Sequence, residues 1–136
     1  MKMDPECIRD ILLQTEERFV IINLNYLHFP KSKTQATQHL QKEKYTHIYQ
    51  YDMKKLIYHV ELVAEMDFIK LNDLKDIYKI EDLTAQGHLF LADIRNEDVW
   101  SKTKDIAKKT GTSSLDALKQ IAVNVVSSII TNYFQG

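Results

Sequence analysis

One stretch constrains the fold of this chain more than any other, because a helical pattern runs directly into a hairpin pattern. In DMKKLIYHVELVAEM, Asp52 is a helix-capping residue, and the apolar residues after it recur at helical spacing: Met53, Leu56, Ile57, Val60, Val63 and Ala64. The runs FIKL and IYKIEDL then flank the polar turn NDLKD, as the two strands of a hairpin would. The stretch therefore predicts an amphipathic helix followed by a β-hairpin.

The residues before this stretch predict three further elements. Asp4 can cap a helix that begins at Pro5 and ends near Glu17. The short run FVIINL is rich in β-branched residues and predicts a strand, and KSKTQATQHLQKEKY predicts a short, largely solvated helix. Helix, strand, helix, helix and hairpin is the order of a winged helix. We therefore expect an α+β, mainly α, winged helix-turn-helix-like fold over residues 1–83.

Three more helices are predicted after the hairpin, so residues 84–136 form a helical extension of one 136-residue domain. Thr84 caps the first, Gly111 ends the second, and Ser113 or Ser114 caps the third. The apolar stripe of the third helix, residues 114–133, is broader than packing against one domain face needs. We expect a homodimer through these positions: Leu115, Leu118, Ala122, Val125 and Ile129. The alternative is that this helix folds back over its own domain.

Charge distribution, cysteine content and hydropathy indicate the cellular location of the protein. Residues 20–55 carry a net charge of +4, residues 56–100 carry −6, and the whole chain carries −1. The single cysteine, Cys7, cannot form an intramolecular disulfide, and the acidic, polar N-terminus does not resemble a signal peptide. No apolar run reaches the roughly 18 residues of a membrane span. We expect a cytoplasmic protein with no membrane partner, and we assign no function to the closing NYFQG, which resembles an engineered protease-cleavage sequence.

Catalytic and cofactor motifs are not visible in the sequence. The five histidines are scattered and accompany one cysteine, so no metal-ligand spacing such as CxxC or HExxH occurs. Three separated glycines make no phosphate-binding loop. We therefore expect neither an enzyme nor a cofactor or metal site, and a structural role for Cys7.

The helix beginning after Asp52 offers the sharpest functional hypothesis. In a DNA-binding regulator its outer face would read bases with Lys54, Lys55, Tyr58 and His59, while the basic segment before it would contact phosphates with Lys31, Lys33, Lys42 and Lys44. Against this, Glu61, Glu65 and the acids of the hairpin would repel double-stranded DNA. The alternative is a protein-interaction adaptor on the same scaffold.

A second motif, LTAQGHLFLADIRNEDVW, together with the tyrosine-histidine helix, resembles a family of small phage and prophage proteins of unknown function. The matching positions are Tyr58, His59, Leu62, Leu83, Thr84, Gly87, His88, Phe90, Leu91, Ile94, Arg95, Val99 and Trp100. The resemblance implies a winged-helix-like front half and brings no activity. Asp67 stands where the family has glycine, and Ala92 precedes an aspartate that the family places one residue earlier. We interpret the motif as a structural clasp in which Gly87 allows close packing; the alternative is that Gly87 and His88 belong to a binding site.

Overall fold

The computed structural model describes residues 1–25 and 40–135. In these ranges the protein has five helices and one three-stranded antiparallel sheet, which confirms the α+β, mainly α class. None of these helices is long and apolar enough to cross a membrane. The elements follow in this order: α1 (Pro5–Glu17), β1 (Val20–Asn23), α2 (Met53–Glu65), β2 (Ile69–Asp73), β3 (Ile77–Leu83), α3 (Ala85–Ile94), α4 (Glu97–Thr110) and α5 (Leu115–Gln135).

The helices begin and end at residues whose chemistry favours a boundary. Four predicted cap side chains each accept a hydrogen bond from a backbone N–H in the first turn of the helix they precede: Asp4, Asp52, Thr84 and Ser114. Gly111 ends α4 in the left-handed conformation, with φ of 70°. These boundaries were predictable because each depends on a few neighbouring residues.

The sheet has the strand order β1-β3-β2, and the central strand β3 runs antiparallel to both neighbours. Val20 lies opposite Ile80 across β1 and β3, and Ile69 lies opposite Leu83 across β2 and β3. All four side chains are buried. The strand predicted from FVIINL therefore pairs with the predicted hairpin, and their shared apolar face belongs to the core.

One contiguous core contains side chains from the sheet and all five helices. Its largest members include Trp100, Phe68 and Phe90, none more than 1% exposed. The rings of Phe68 and Phe90 stack with their centroids 5.0 Å apart, which joins the start of the hairpin to α3. The C-terminal helices are thus packed into the same core as the front half of the chain.

Most of the helix predicted in KSKTQATQHLQKEKY, residues 31–39, lies outside the described ranges. Its last residues are described, and they form turns that continue to Tyr51 rather than a helix. Leu40, Tyr45 and Ile48 are buried there, and the Tyr45 hydroxyl accepts a hydrogen bond from the Ile21 N–H at 3.3 Å. This segment is therefore held by side chains that cover the β1 edge, and the expectation of a largely solvated segment does not hold for it.

Asp67, in the turn between α2 and β2, has a left-handed backbone conformation with φ of 59°. Glycine adopts this conformation without steric cost. For aspartate the left-handed conformation is unfavourable by part of the usual steric cost of about 1 kcal/mol. We expect Asp67→Gly to raise the free energy of unfolding by about 0.5 kcal/mol, after the larger chain entropy of unfolded glycine is subtracted. Thermal denaturation should show a melting temperature higher by about 2 °C. Asp67→Val should lower it, and a lower value for Asp67→Gly would contradict the explanation.

Candidate functional site

Helix α2 presents one outward stripe where a DNA-reading helix would carry its contacts. Lys54, Glu61 and Glu65 are exposed on this stripe, and Tyr58 is half-buried between them. Glu61 also accepts a hydrogen bond from the Tyr78 hydroxyl at 3.0 Å, which ties the stripe to β3. The outward stripe therefore carries one cation and two carboxylates.

His59 does not lie on the exposed face where the sequence placed it, because its side chain is completely buried. Its Nδ1 lies 2.7 Å from the Lys55 carbonyl, and its Nε2 lies 2.7 Å from the Asp4 backbone nitrogen. A carbonyl only accepts and an amide N–H only donates, so the ring is neutral with its proton on Nδ1. Burial lowers the pKa of His59. This histidine fastens α2 to the start of α1.

Lys55, the second residue predicted to read bases, turns toward α1. Its ammonium forms an ion pair with the Asp4 carboxylate at 2.6 Å and lies over the Tyr51 ring, 5.5 Å from the centroid. The hydrogen bond to Asp4 raises the pKa of Lys55. Burial would raise the pKa of Asp4, but the Lys55 and Glu6 hydrogen bonds outweigh it and lower that pKa. A phosphate would have to break this pair before Lys55 could bind it.

A small polar cluster lies beside this pair, between α1 and the turn before α2. The Tyr51 hydroxyl donates to the Asp10 carboxylate at 2.5 Å, and burial raises the pKa of Asp10. Cys7 is completely buried next to the cluster, and burial raises its pKa to about 12. The thiol therefore stays protonated and unreactive at neutral pH, as a structural role requires.

The predicted phosphate contacts before α2 are only partly described. Lys31 and Lys33 lie outside the described residues. Lys42 lies over the Tyr49 ring at 5.6 Å, and Lys44 lies over the Tyr45 ring at 5.5 Å, both distances measured to the centroid. These two lysines share a surface with aromatic rings and are not brought next to Lys54 by any contact of the described residues.

The α2–hairpin face, defined as the exposed and partly exposed side chains of residues 52–83, is acidic overall. Eight Asp and Glu residues stand against five lysines in this range, a net charge of −3. One of the lysines, Lys55, is already paired with Asp4. A surface of this charge repels the phosphates of DNA and attracts cationic groups.

The LTAQGH motif is a clasp between the start of β2 and the first turn of α3. The Thr84 N–H donates to the Phe68 carbonyl at 3.0 Å, and the Thr84 hydroxyl donates to the Asp67 carbonyl. A Cβ added to Gly87 would lie 1.9 Å from the same Phe68 oxygen. The packing interpretation of Gly87 is confirmed, while His88 beside it is exposed.

The rest of this motif docks α1 on the C-terminal helices. Arg9 donates to the carbonyls of Ile94 and Arg95 at 3.1 and 2.9 Å, and so caps the end of α3. Arg95 pairs with Glu16 through both terminal guanidinium nitrogens, which donate to the two carboxylate oxygens. The indole N–H of Trp100 donates to Glu6 at 3.1 Å. These bonds hold α1 against α3 and α4, so the clasp extends to Trp100.

Most of the predicted dimer interface lies inside the protein's own core. Four of its five positions are no more than 7% exposed and face α3 and α4: Leu115, Leu118, Ala122 and Val125. The sequence expectation is corrected for these four residues, because the helix folds back over its own domain. Ile129, one turn further on, remains 39% exposed.

The sequence interpretation missed a groove between α4 and α5. This groove has a volume of about 450 Å³, and Ile106 from α4 and Ile129 from α5 lie on opposite sides of it. Ile106 is 38% exposed. The sequence signal that could have revealed the groove is the run of residues 120–135, which contains no Asp, Glu, Lys or Arg. Within residues 1–25 and 40–135, no three His, Cys, Asp or Glu side chains gather as a metal site would need.

Comparison with known proteins identifies a family but no activity. The family described as "Hypothetical protein (DUF2513)" matches residues 2–113. The chain is 31% identical to an uncharacterized protein of Haemophilus influenzae over 137 residues, covering 96% of this chain and 99% of the relative. No solved structure matches. The predicted kinship with a family of unknown function is confirmed, and the chain belongs to the DUF2513 family of hypothetical proteins.

Proposed function

We propose that residues 1–83 are arranged as a winged helix. Two observations support this arrangement: the element order α1, β1, α2, β2, β3, and the antiparallel sheet order β1-β3-β2 with the hairpin as the wing. Residues 26–39, where an intermediate helix would begin, lie outside the described residues. A winged helix can serve DNA binding or protein binding, so the exposed side chains must decide between them.

On this scaffold we propose a protein-interaction adaptor, and one observation carries the proposal. The α2–hairpin face has a net charge of −3, and two of the four residues expected to read bases already have partners within the protein: His59 is buried, and the partly exposed Lys55 is paired with Asp4. A DNA reader needs cations on this face, because phosphate contacts supply most of its non-specific affinity. The acidic face suits a protein partner better.

The chemistry of the face favours a basic partner segment with an apolar anchor. Leu74, at the tip of the hairpin, is 59% exposed, and its neighbours in the turn are two acids and one cation: Asp73, Asp76 and Lys75. Opposite charges across an interface steer association and select the partner, while a buried apolar anchor supplies affinity. We therefore propose a partner that presents lysine or arginine around an apolar side chain.

A small DNA-binding regulatory protein is the second candidate. The proposed winged-helix arrangement favours it, together with exposed Lys54 and the lysine-aromatic surface of Lys42 and Lys44. Lys31 and Lys33 would add phosphate contacts. A phage or prophage origin, a cytoplasmic location and the absence of catalysis stay predictions under both candidates.

Titration of fluorescently labelled double-stranded DNA at about 50 and 200 mM salt separates the candidates. We expect no binding at micromolar protein even at the lower salt, because the α2–hairpin face repels phosphate. Glu61→Lys combined with Glu65→Lys reverses the sign of the α2 stripe and should create weak, salt-sensitive binding. Wild-type binding whose log–log salt slope is steeper than about −3, and which is lost in Lys54→Glu, would establish the DNA reader instead.

A labelled peptide of alternating lysine and leucine tests the adaptor directly. We expect fluorescence anisotropy to show binding that weakens at least about tenfold in Glu65→Lys and in Leu74→Ser, because charge and anchor both contribute. Asp116→Lys, a charge reversal on α5, is the matched control and should leave the affinity unchanged. Equal loss in Glu65→Lys and Asp116→Lys would show a non-specific charge effect and contradict the proposed face.

A further inference from the structure

The groove between α4 and α5 combines an apolar floor with one cation and one anion on its α4 side. Ile106, Ile121 and Ile129 line it with partly exposed apolar side chains, and Lys102 and Asp105 lie at its α4 rim. The α5 side also carries three uncharged polar residues: Asn124, Ser128 and Asn132. The groove is formed by elements other than those of the α2–hairpin face. What occupies it is therefore a separate question from the proposed function.

Helix α5 is unusually poor in charge for a helix with so much exposed surface. Residues 120–135 contain no Asp, Glu, Lys or Arg, although charged residues make up 27% of the chain. Val123, Ile129 and Ile130 are each 39% to 51% exposed in this run. Depletion of charge with retention of apolar side chains is the composition of an interface core rather than of a solvated helix.

We propose that a second copy of this chain occupies the groove, with the two α5 helices antiparallel about a two-fold axis. Lys102 and Asp105 lie one helical turn apart on α4, so a two-fold axis between them sets Lys102 of each subunit against Asp105 of the other. The groove is thus complementary to itself in charge as well as in apolar surface. A strongly basic or acidic partner would leave one of these two rim charges opposed by its own sign.

Asp105 can exchange its ion-pair partner at little cost in stability. Within its own chain it pairs with Lys109 at 3.0 Å, and both side chains are more than half exposed. An exposed pair four residues apart on a helix contributes little to stability. The carboxylate is therefore available to Lys102 of the partner subunit, while Ile106 and Ile129 cover the uncharged centre.

Sedimentation velocity of the full chain between about 1 and 100 µM tests the dimer at concentrations where an interface of roughly 1,000 Å² or more would associate. We expect twice the 16.0 kDa chain mass for wild type, and 16.0 kDa for Ile129→Glu and Ile106→Glu. Ile130→Glu is the matched control, because Ile130 is on the same helix and 51% exposed but outside the groove lining. Circular dichroism confirms that each variant is folded.

A charge exchange tests the two-fold pairing itself. Lys102→Asp should weaken dimerisation at least about tenfold at low salt, and adding Asp105→Lys should restore it. A wild-type chain of 16.0 kDa at 100 µM, or a particle larger than a dimer, would overturn the proposal. So would a dimer that Ile130→Glu disrupts while folded Ile106→Glu does not, because the interface would then lie on another side of α5.

Discussion

Gly87→Ala is expected to lower the free energy of unfolding by about 3 kcal/mol or more, the upper range for inserting one methyl group into a packed site. The added Cβ would meet the Phe68 carbonyl oxygen at 1.9 Å, and that oxygen belongs to backbone which cannot rotate away. The same oxygen accepts the Thr84 N–H, so a shift of the backbone also breaks the clasp. Urea denaturation followed by circular dichroism measures the loss.

Gly111 provides a matched control because it needs glycine for the opposite reason. A Cβ there would meet no atom within 4 Å, but its φ of 70° is unfavourable for other residues. Gly111→Ala should therefore cost only about 1 kcal/mol, and Gly111→Asn less, since asparagine tolerates the left-handed conformation. A Gly87→Ala protein as stable as Gly111→Ala would contradict the close approach of α3 to Phe68.

The features that sequence predicted well depend on neighbours along the chain. Asp52, Thr84 and Gly111 mark helix boundaries through contacts within a single turn, and the period of apolar residues separates α2 from the strands after it. Helical periodicity also shows which residues share a face. It does not show which other element covers that face. For this reason the structure buries several residues that the sequence analysis had placed in a DNA-reading or dimer surface.

His59 illustrates the limit. Three residues after Leu56 and four before Val63, it falls within the apolar stripe of α2, so its burial could have been inferred. Its partner could not, because the Asp4 N–H is 55 residues away in the sequence. Helix α5 shows the same limit, since only tertiary packing divides its apolar stripe between core residues such as Leu118 and exposed Ile129.

His59→Gln should lower the free energy of unfolding by about 2 kcal/mol at pH 8, because the shorter amide cannot serve both backbone partners of the ring. The Asp4 N–H and the Lys55 carbonyl lie 2.7 Å from opposite nitrogens of the imidazole, and one of them would be left without its bond in a buried site. His88→Gln is the matched control and should change stability by less than about 0.5 kcal/mol, since His88 is exposed.

His59→Gln should also remove part of the loss of stability that the wild-type protein shows at acidic pH. In the unfolded chain His59 takes up a proton near its ordinary pKa of 6.5, but in the folded protein burial holds its pKa lower, because a charged ring would be deprived of water. A protonated Nε2 could also no longer accept the Asp4 N–H bond. The unfolded state therefore binds more protons just below pH 6.5, and the stability that neutral His59 contributes is complete above pH 6.5 and is lost as the pH falls toward the folded pKa.

Urea midpoints at intervals from pH 8 to pH 5 measure this effect as a difference between wild type and His59→Gln. Wild-type stability should fall more steeply, by up to about 1.4 kcal/mol per pH unit between the two pKa values of His59. Asp4 and Asp10, the carboxylates nearest this region, are present in both proteins, so the subtraction removes their own titration. His88→Gln retains the slope because His59 is intact. Parallel pH profiles for wild type and His59→Gln would mean that the folded protein accommodates a protonated His59, and the neutral ring inferred from its two backbone bonds would have to be abandoned.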